Sequence, residues 1–111
     1  MDDLSEMLKG VLEGIVLEII SRGEIYGYEI VRKLSALGLS GIAEGTVYAL
    51  LMRLERNRMV SIAKRPSELG PPRKFYALNE HGVAERAAFW ARWDFLAGCI
   101  ETIRHDEEAQ V

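Results

Sequence analysis

A mainly α fold with one small β-hairpin and a long C-terminal helix follows from three observations in the sequence. Apolar residues recur at three- and four-residue spacing through most of the chain, as they do on the buried stripe of amphipathic helices. Two β-prone runs, 60–65 and 73–78, flank Pro66-Ser-Glu-Leu-Gly-Pro-Pro72, whose Pro and Gly content marks a turn. The last patterned stretch, 80–105, runs without an internal stop. A chain of 111 residues has room for one domain with a modest core.

From the N-terminus, Leu4, Met7, Leu8, Val11, Leu12, Ile15, Val16, Ile19 and Ile20 predict one amphipathic helix of about five turns. Gly10 and Gly14 lie inside it, each costing roughly 1 kcal/mol against Ala, so their use is close packing against another backbone. Gly23 is the expected stop. Residues 25–37 predict a second helix with Tyr28, Val31 and Leu34 inward, ended by Gly38. Gly41 and Gly45 bracket a short loop into a third helix, 44–57. After the hairpin, Asn79 is a natural N-cap for the long helix, its side-chain oxygen able to accept from free first-turn amides.

On the 44–57 helix Val47, Leu50, Leu51 and Leu54 face a core. Thr46, Tyr48, Met52, Arg53 and Arg56 remain on or near the outward face. A hydroxyl, an aromatic ring and arginines on one open face suit phosphates and base edges. The charge distribution points the same way. The whole chain carries −3, but residues 45–76 hold seven basic side chains against two acidic ones, which is +5, leaving −8 elsewhere. An acidic body with one basic segment is an electrostatic footprint for DNA.

Three helices, a hairpin and a long helix are the order of a winged helix-turn-helix with a dimerisation arm. In that arrangement the 44–57 helix enters the major groove, and Lys64, Arg65, Arg73 and Lys74 on the wing lie along the phosphate backbone. The long helix carries Phe89, Trp93, Leu96, Ile100 and Ile103 at alternating four- and three-residue spacing, a coiled-coil seam. At 1.5 Å per residue, 26 residues span about 39 Å, more than the preceding core can cover. A second copy of the chain is the expected partner; packing of the seam within one chain is the alternative. The expected division is therefore a DNA-binding unit at 1–79, with the N-terminal helix also packing on the arm, a dimerisation helix at 80–105 and a tail at 106–111.

Other function classes have little support. His81 and His105 are far apart, no Gly-rich phosphate loop is present, and the single Cys99 excludes an intrachain disulfide and a cysteine-based zinc site. No cofactor or metal is implied, and enzymatic chemistry is not expected. No apolar run approaches the roughly 20 residues of a membrane span, and the acidic start Met1-Asp2-Asp3 is no signal peptide; a cytoplasmic setting is expected. The rival to DNA binding is a winged helix used for protein–protein contact, which would need the core and the arm but not the basic segment.

Five motifs extend these expectations. Tyr26-Gly-Tyr-Glu-Ile30, Gly45-Thr-Val-Tyr48, Arg53-Leu-Glu55, Gly70-Pro-Pro-Arg-Lys-Phe-Tyr76 and Leu78-Asn-Glu-His-Gly82, in this order, resemble the PadR-like transcriptional regulators of the short branch with one C-terminal helix. The resemblance runs from about Leu8 to Ile103. It implies a homodimeric repressor that binds a two-fold symmetric operator in double-stranded DNA and is released by a small aromatic effector. The implied operator contacts are Thr46, Val47, Tyr48 and Arg53, with Arg73 and Lys74 on the wing, and Tyr26 and Tyr28 helping to position the backbone. The implied effector and dimer surface comprises Met7, Phe89, Trp90, Trp93, Leu96, Ile100 and Ile103. Trp93 matches the aromatic that multidrug-binding members place opposite its dimer mate. The chain departs from the family pattern in three places: Ala43-Glu44 stands where Ser-Pro is common, Arg58 where Gly is common, and Ala97 where multidrug binders carry an acidic residue.

Overall fold

Eight elements make up the structure, a computed structural model that describes residues 3–105. They are α1 (Asp3–Leu8), α2 (Leu12–Ile20), β1 (Ile25–Tyr26), α3 (Gly27–Ala36), α4 (Glu44–Arg56), β2 (Val60–Ser67), β3 (Gly70–Leu78) and α5 (Glu80–His105). Met1, Asp2 and the expected tail at 106–111 lie outside the described residues. The fold is the expected winged helix-turn-helix followed by a long helix. α5 reaches away from the head and gives the molecule a longest dimension of 62 Å.

Two expected helix boundaries are corrected, one by local chemistry and one by a distant strand. The single N-terminal helix is broken at residues 9–11 into α1 and α2. Gly10 lies in the break, and the chain turns there through a bond from the Val11 amide to the Leu8 carbonyl, 2.9 Å. Glycine's low helix propensity wins over an apolar stripe that continues across it. The second helix starts at Gly27 rather than Ile25, because Ile25 and Tyr26 pair antiparallel with Tyr76 and Phe75. The hairpin thereby becomes a three-stranded sheet in the order β1-β3-β2.

The wing strands are longer than their β-prone runs, extending to Ser67 and from Gly70. Proline lacks a ladder donor and is tolerated only at edges or bulges. Pro66 sits where the register shifts between Arg65 and Ser67. Pro71 and Pro72 lie beyond the part of β3 that β1 covers.

The core is built from Val16, Leu17, Ile20, Ile30, Leu34, Tyr76 and the four inward residues of α4. Val47, Leu50, Leu51 and Leu54 are all buried, as their spacing predicts. Tyr28 is not: it is 43 % exposed, and Ile30 with Leu34 supplies the inward face of α3. Both α3 and α4 end in the same capping motif. After α3, Gly38 adopts φ +95° and the Leu39 amide donates back to the Leu34 carbonyl, 2.9 Å. After α4 the residue in the left-handed region is Arg58, φ +57°, and the Met59 amide donates to the Leu54 carbonyl, 3.0 Å. This closes the helix in the usual way, with arginine where glycine is cheaper by sterics.

Asn79 is the N-cap of α5: its Oδ1 accepts from the Gly82 amide at 2.9 Å. Its Nδ2 donates to the Arg58 carbonyl at 2.8 Å, and its own amide donates to the Met59 carbonyl at 3.2 Å. The cap thus ties the arm to the end of α4 as well as to the wing.

Candidate nucleic-acid interface

The Tyr26-Gly-Tyr28 motif makes room for two further rings. A Cβ on Gly27 would lie 3.3 Å from Tyr76 Cε1 and 3.4 Å from Tyr48 Cε1. With no side chain at residue 27, the ring of Tyr48 on α4 and the ring of Tyr76 on the wing both approach this backbone closely. Tyr48 is half-buried, and burial, reinforced by the Glu44 charge, pushes its hydroxyl above the ordinary tyrosine range. It therefore stays a neutral donor and acceptor at physiological pH.

On the wing, Lys64 stands opposite Lys74 and Arg65 opposite Arg73. Like charges facing across a ladder destabilise the pairing. Alternation places Lys64 and Lys74 on the Tyr76 face of the sheet and Arg65 and Arg73 on the other, with Phe75 and Tyr26. There the aromatic rings absorb part of the repulsion. The Arg65 guanidinium lies 5.1 Å from the centre of Phe75 and that of Arg73 lies 4.9 Å from the centre of Tyr26. Tyr26 in turn packs 5.6 Å from Phe75 and 6.5 Å from Tyr28. Two acids compensate further: Glu24 pairs with Arg65 and Glu55 with Lys74 at 3.7 Å. Lys64 and Arg73 have no acidic partner within ion-pair distance among the described residues. Between α4 and the wing an open cleft of about 440 Å³ is lined by Tyr26, Tyr48, Met52, Arg73 and Lys74, among others.

The expected contact residues therefore separate into three places. Tyr26, Tyr48, Arg73 and Lys74 meet around this cleft, with Tyr28 and Arg65 on the adjoining aromatic strip. Thr46 and Arg53 lie on the opposite flank of α4, along a groove of about 470 Å³ facing α1 and α2. There Arg53 is paired with Glu13 at 3.2 Å. Val47 is withdrawn from any contact surface: at 1 % exposure its side chain belongs to the core, since its neighbours on the α4 stripe all point inward. Met52, 58 % exposed beside Tyr48, is the outward residue the cleft adds.

The arm has a half-buried root and an uncovered length. Phe89 packs into the space left by Gly14, where a Cβ would sit 2.1 Å from the ring. The close approach expected of that glycine is made by a side chain rather than a backbone. Trp90 faces the head, its Nε1 donating to Glu18 at 2.8 Å, and stands edge-on to Trp93 at 6.3 Å. Farther out Trp93, Leu96, Ile100 and Ile103 are 42–59 % exposed, and Met7 on α1 is also exposed. Sequence reasoning missed Glu18, whose carboxylate also accepts from Arg86 and Arg22. Its only signal was an acid set inside an apolar stripe. The Arg86 hydrogen bond, followed by those from Arg22 and Trp90, outweighs burial and holds this carboxyl down at about 2 against an ordinary 4.5.

A helix-turn-helix of α3 and α4, a basic wing and a long exposed helix together define a transcription regulator of the winged-helix class. A family model described as the transcriptional regulator PadR-like family matches residues 16–88, and the chain belongs to that family. Its members are transcription regulators, not enzymes. A Streptococcus transcriptional regulator of known crystal structure is 43 % identical, with TM-score 0.79 over 89 % of this chain and 97 % of that one. A PadR-like transcriptional regulator from Bacillus cereus is 36 % identical, with TM-score 0.80 over 92 % and 99 %. Bacillus subtilis PadR, crystallised in complex with operator DNA, shares the fold at 22 % identity, with TM-score 0.66 over 75 % of this chain and 48 % of that one. No helix among the described residues is long and apolar enough to cross a membrane.

Proposed function

We propose that this regulator is a homodimeric repressor that binds a two-fold symmetric DNA site through α4 and the wing of each protomer. In this reading residues 1–79 form the DNA-binding head and residues 80–105 the dimerisation arm. One observation carries the DNA half of the proposal: Tyr48 on α4 and Arg73 and Lys74 on the wing line one cleft. Phe75, Tyr26, Glu24 and Glu55 offset only part of the cost of opposing Lys64 to Lys74 and Arg65 to Arg73; phosphates would neutralise the remainder. A protein of the same fold crystallised with operator DNA supports the partner class.

The dimer half rests on the uncovered stripe Trp93, Leu96, Ile100 and Ile103. In a two-fold pairing along α5 each stripe buries the other. A small flat aromatic compound stacking against Trp93, at the root of the arm where Phe89, Val11 and Leu96 line a cavity of about 310 Å³, would release the DNA. A cytoplasmic setting goes with this role.

Tyr48→Ala and Arg73→Ala should each weaken binding to the DNA upstream of the protein's own gene while leaving the dimer intact in sedimentation. Parental affinity in both variants would remove the cleft from the reading face. Trp93→Ala should loosen the dimer or abolish fluorescence quenching by flat aromatics; no change in either would remove Trp93 from the mechanism.

A further inference from the structure

Beyond its root at Asn79 and Gly82, which packs on the end of α4 and the wing, the arm meets α2 at two places one helical turn apart. One is the seat of Phe89 against Gly14. The other is Glu18, whose two oxygens are fully engaged. Oε1 accepts from Arg86 Nε at 2.6 Å and Trp90 Nε1 at 2.8 Å, and Oε2 accepts from Arg86 Nη2 at 3.1 Å and Arg22 Nε at 2.9 Å. The Arg86 contact is a two-toothed fork, which fixes direction as well as distance. Two separated contacts on one face of α5 define an angle, whereas one would define only a pivot. From Ala91 to His105 every arm residue except Ala97 is exposed, so along that stretch the head itself does little to restrain the helix.

We propose that Glu18 is the positioning residue that sets the angle between arm and head, and through it the half-site spacing the dimer accepts. This rests on the dimeric DNA-binding reading above. Geometry gives the lever: the 15 residues beyond Trp90 reach about 22 Å. A turn of about 10° at the hub moves the tip about 4 Å, close to the ~3.4 Å rise of one base pair. A dimer engages both half-sites only if they are correctly spaced, and losing the second engagement costs about 100-fold or more in affinity. Glu18→Gln keeps the shape but replaces one acceptor oxygen with a donor that faces Arg86 in either amide orientation, together with Arg22 or Trp90. Arg86→Lys keeps the charge and loses the fork.

The angle is measured without DNA. Nitroxide labels on Cys99, exposed on the arm, and on an Arg56→Cys substitution on α4 report the head-to-arm distance by pulsed electron resonance, with labelled chains diluted into unlabelled protein. The DNA arm of the test uses operators with half-sites at the parental spacing and moved by one and two base pairs, together with a single half-site. In folded Glu18→Gln and Arg86→Lys the distance distribution should broaden. Discrimination between spacings should fall from about 100-fold to within about tenfold, with single half-site affinity unchanged. A parental distance distribution in both variants overturns the proposal, as does parental spacing discrimination alongside a broadened one. If the parent shows no sequence-specific DNA binding, the functional reading fails instead, and the distances alone decide whether Glu18 holds the arm.

Discussion

Replacing Gly82 with alanine sets two opposing effects against each other at the joint between head and arm. Helix propensity favours alanine by about 1 kcal/mol. Against this, a Cβ at residue 82 would lie 2.1 Å from the Met59 carbonyl oxygen and 3.1 Å from Leu78 Cδ2. The oxygen is backbone, held where it accepts from the Asn79 amide at 3.2 Å, so relief requires a shift of about 1 Å in one of two tied segments. That shift loosens the Asn79–Met59 bond and the cap from Asn79 to the Gly82 amide, each worth about 1 kcal/mol, and adds overpacking strain of about 1 kcal/mol or more. The clash wins, leaving a net loss of about 2 kcal/mol and a melting temperature lower by roughly 8–15 °C at fixed protein concentration. Gly98→Ala in the same helix is the control, because a Cβ there meets nothing within 4 Å, and it should gain about 1 kcal/mol. Urea and thermal unfolding followed by circular dichroism measure both. A Gly82→Ala variant as stable as the parent would refute the reasoning about this joint.

Two further outcomes follow from the same geometry. Arg58→Gly should raise stability by about 0.5–1 kcal/mol in urea unfolding, since it relieves a left-handed non-glycine residue while the capping amides stay in place; a loss would mean that the Arg58 side chain contributes more than its backbone costs. The Glu18 carboxyl is depressed to about 2 from 4.5, so its contribution is fully present above pH 4.5 and is lost as pH falls from 4.5 towards 2. After allowance for solvent around a carboxylate that is 22 % exposed, that contribution is about 1–2 kcal/mol, and Glu18→Gln should flatten the stability profile across this window.

Much of the head was legible in the sequence because its signals are local. The inward face of α4 follows from four aliphatic residues at helical spacing, and the Asn79 cap from one side chain ahead of a helix. What was hidden depends on partners distant in the chain. Ile25 and Tyr26 become a strand only because Tyr76 and Phe75 come alongside, and Trp90 turns towards the head because Glu18, 72 residues earlier, waits there. The inward place of Val47 was legible in that helical spacing and conflicts only with the contact role the family resemblance implied, since one residue's rotation about the helix separates it from Tyr48. Arg53 likewise looks outward in sequence, but its position beside Glu13 is set by how α2 crosses α4. The break between α1 and α2 was masked by an apolar stripe that runs straight through it.

The salt dependence of binding to the upstream DNA of the protein's own gene tests the central claim most directly. If Lys64 and Arg73 of both protomers reach phosphates, and Arg65 and Lys74 exchange their acids for phosphates to a variable extent, the dimer neutralises about four to eight charges. The logarithm of the affinity should then fall against the logarithm of salt with a slope between about −4 and −7, and a scrambled duplex should bind more weakly at every salt concentration. A slope near zero, or equal affinity for the scrambled duplex, would contradict sequence-specific DNA reading by this fold.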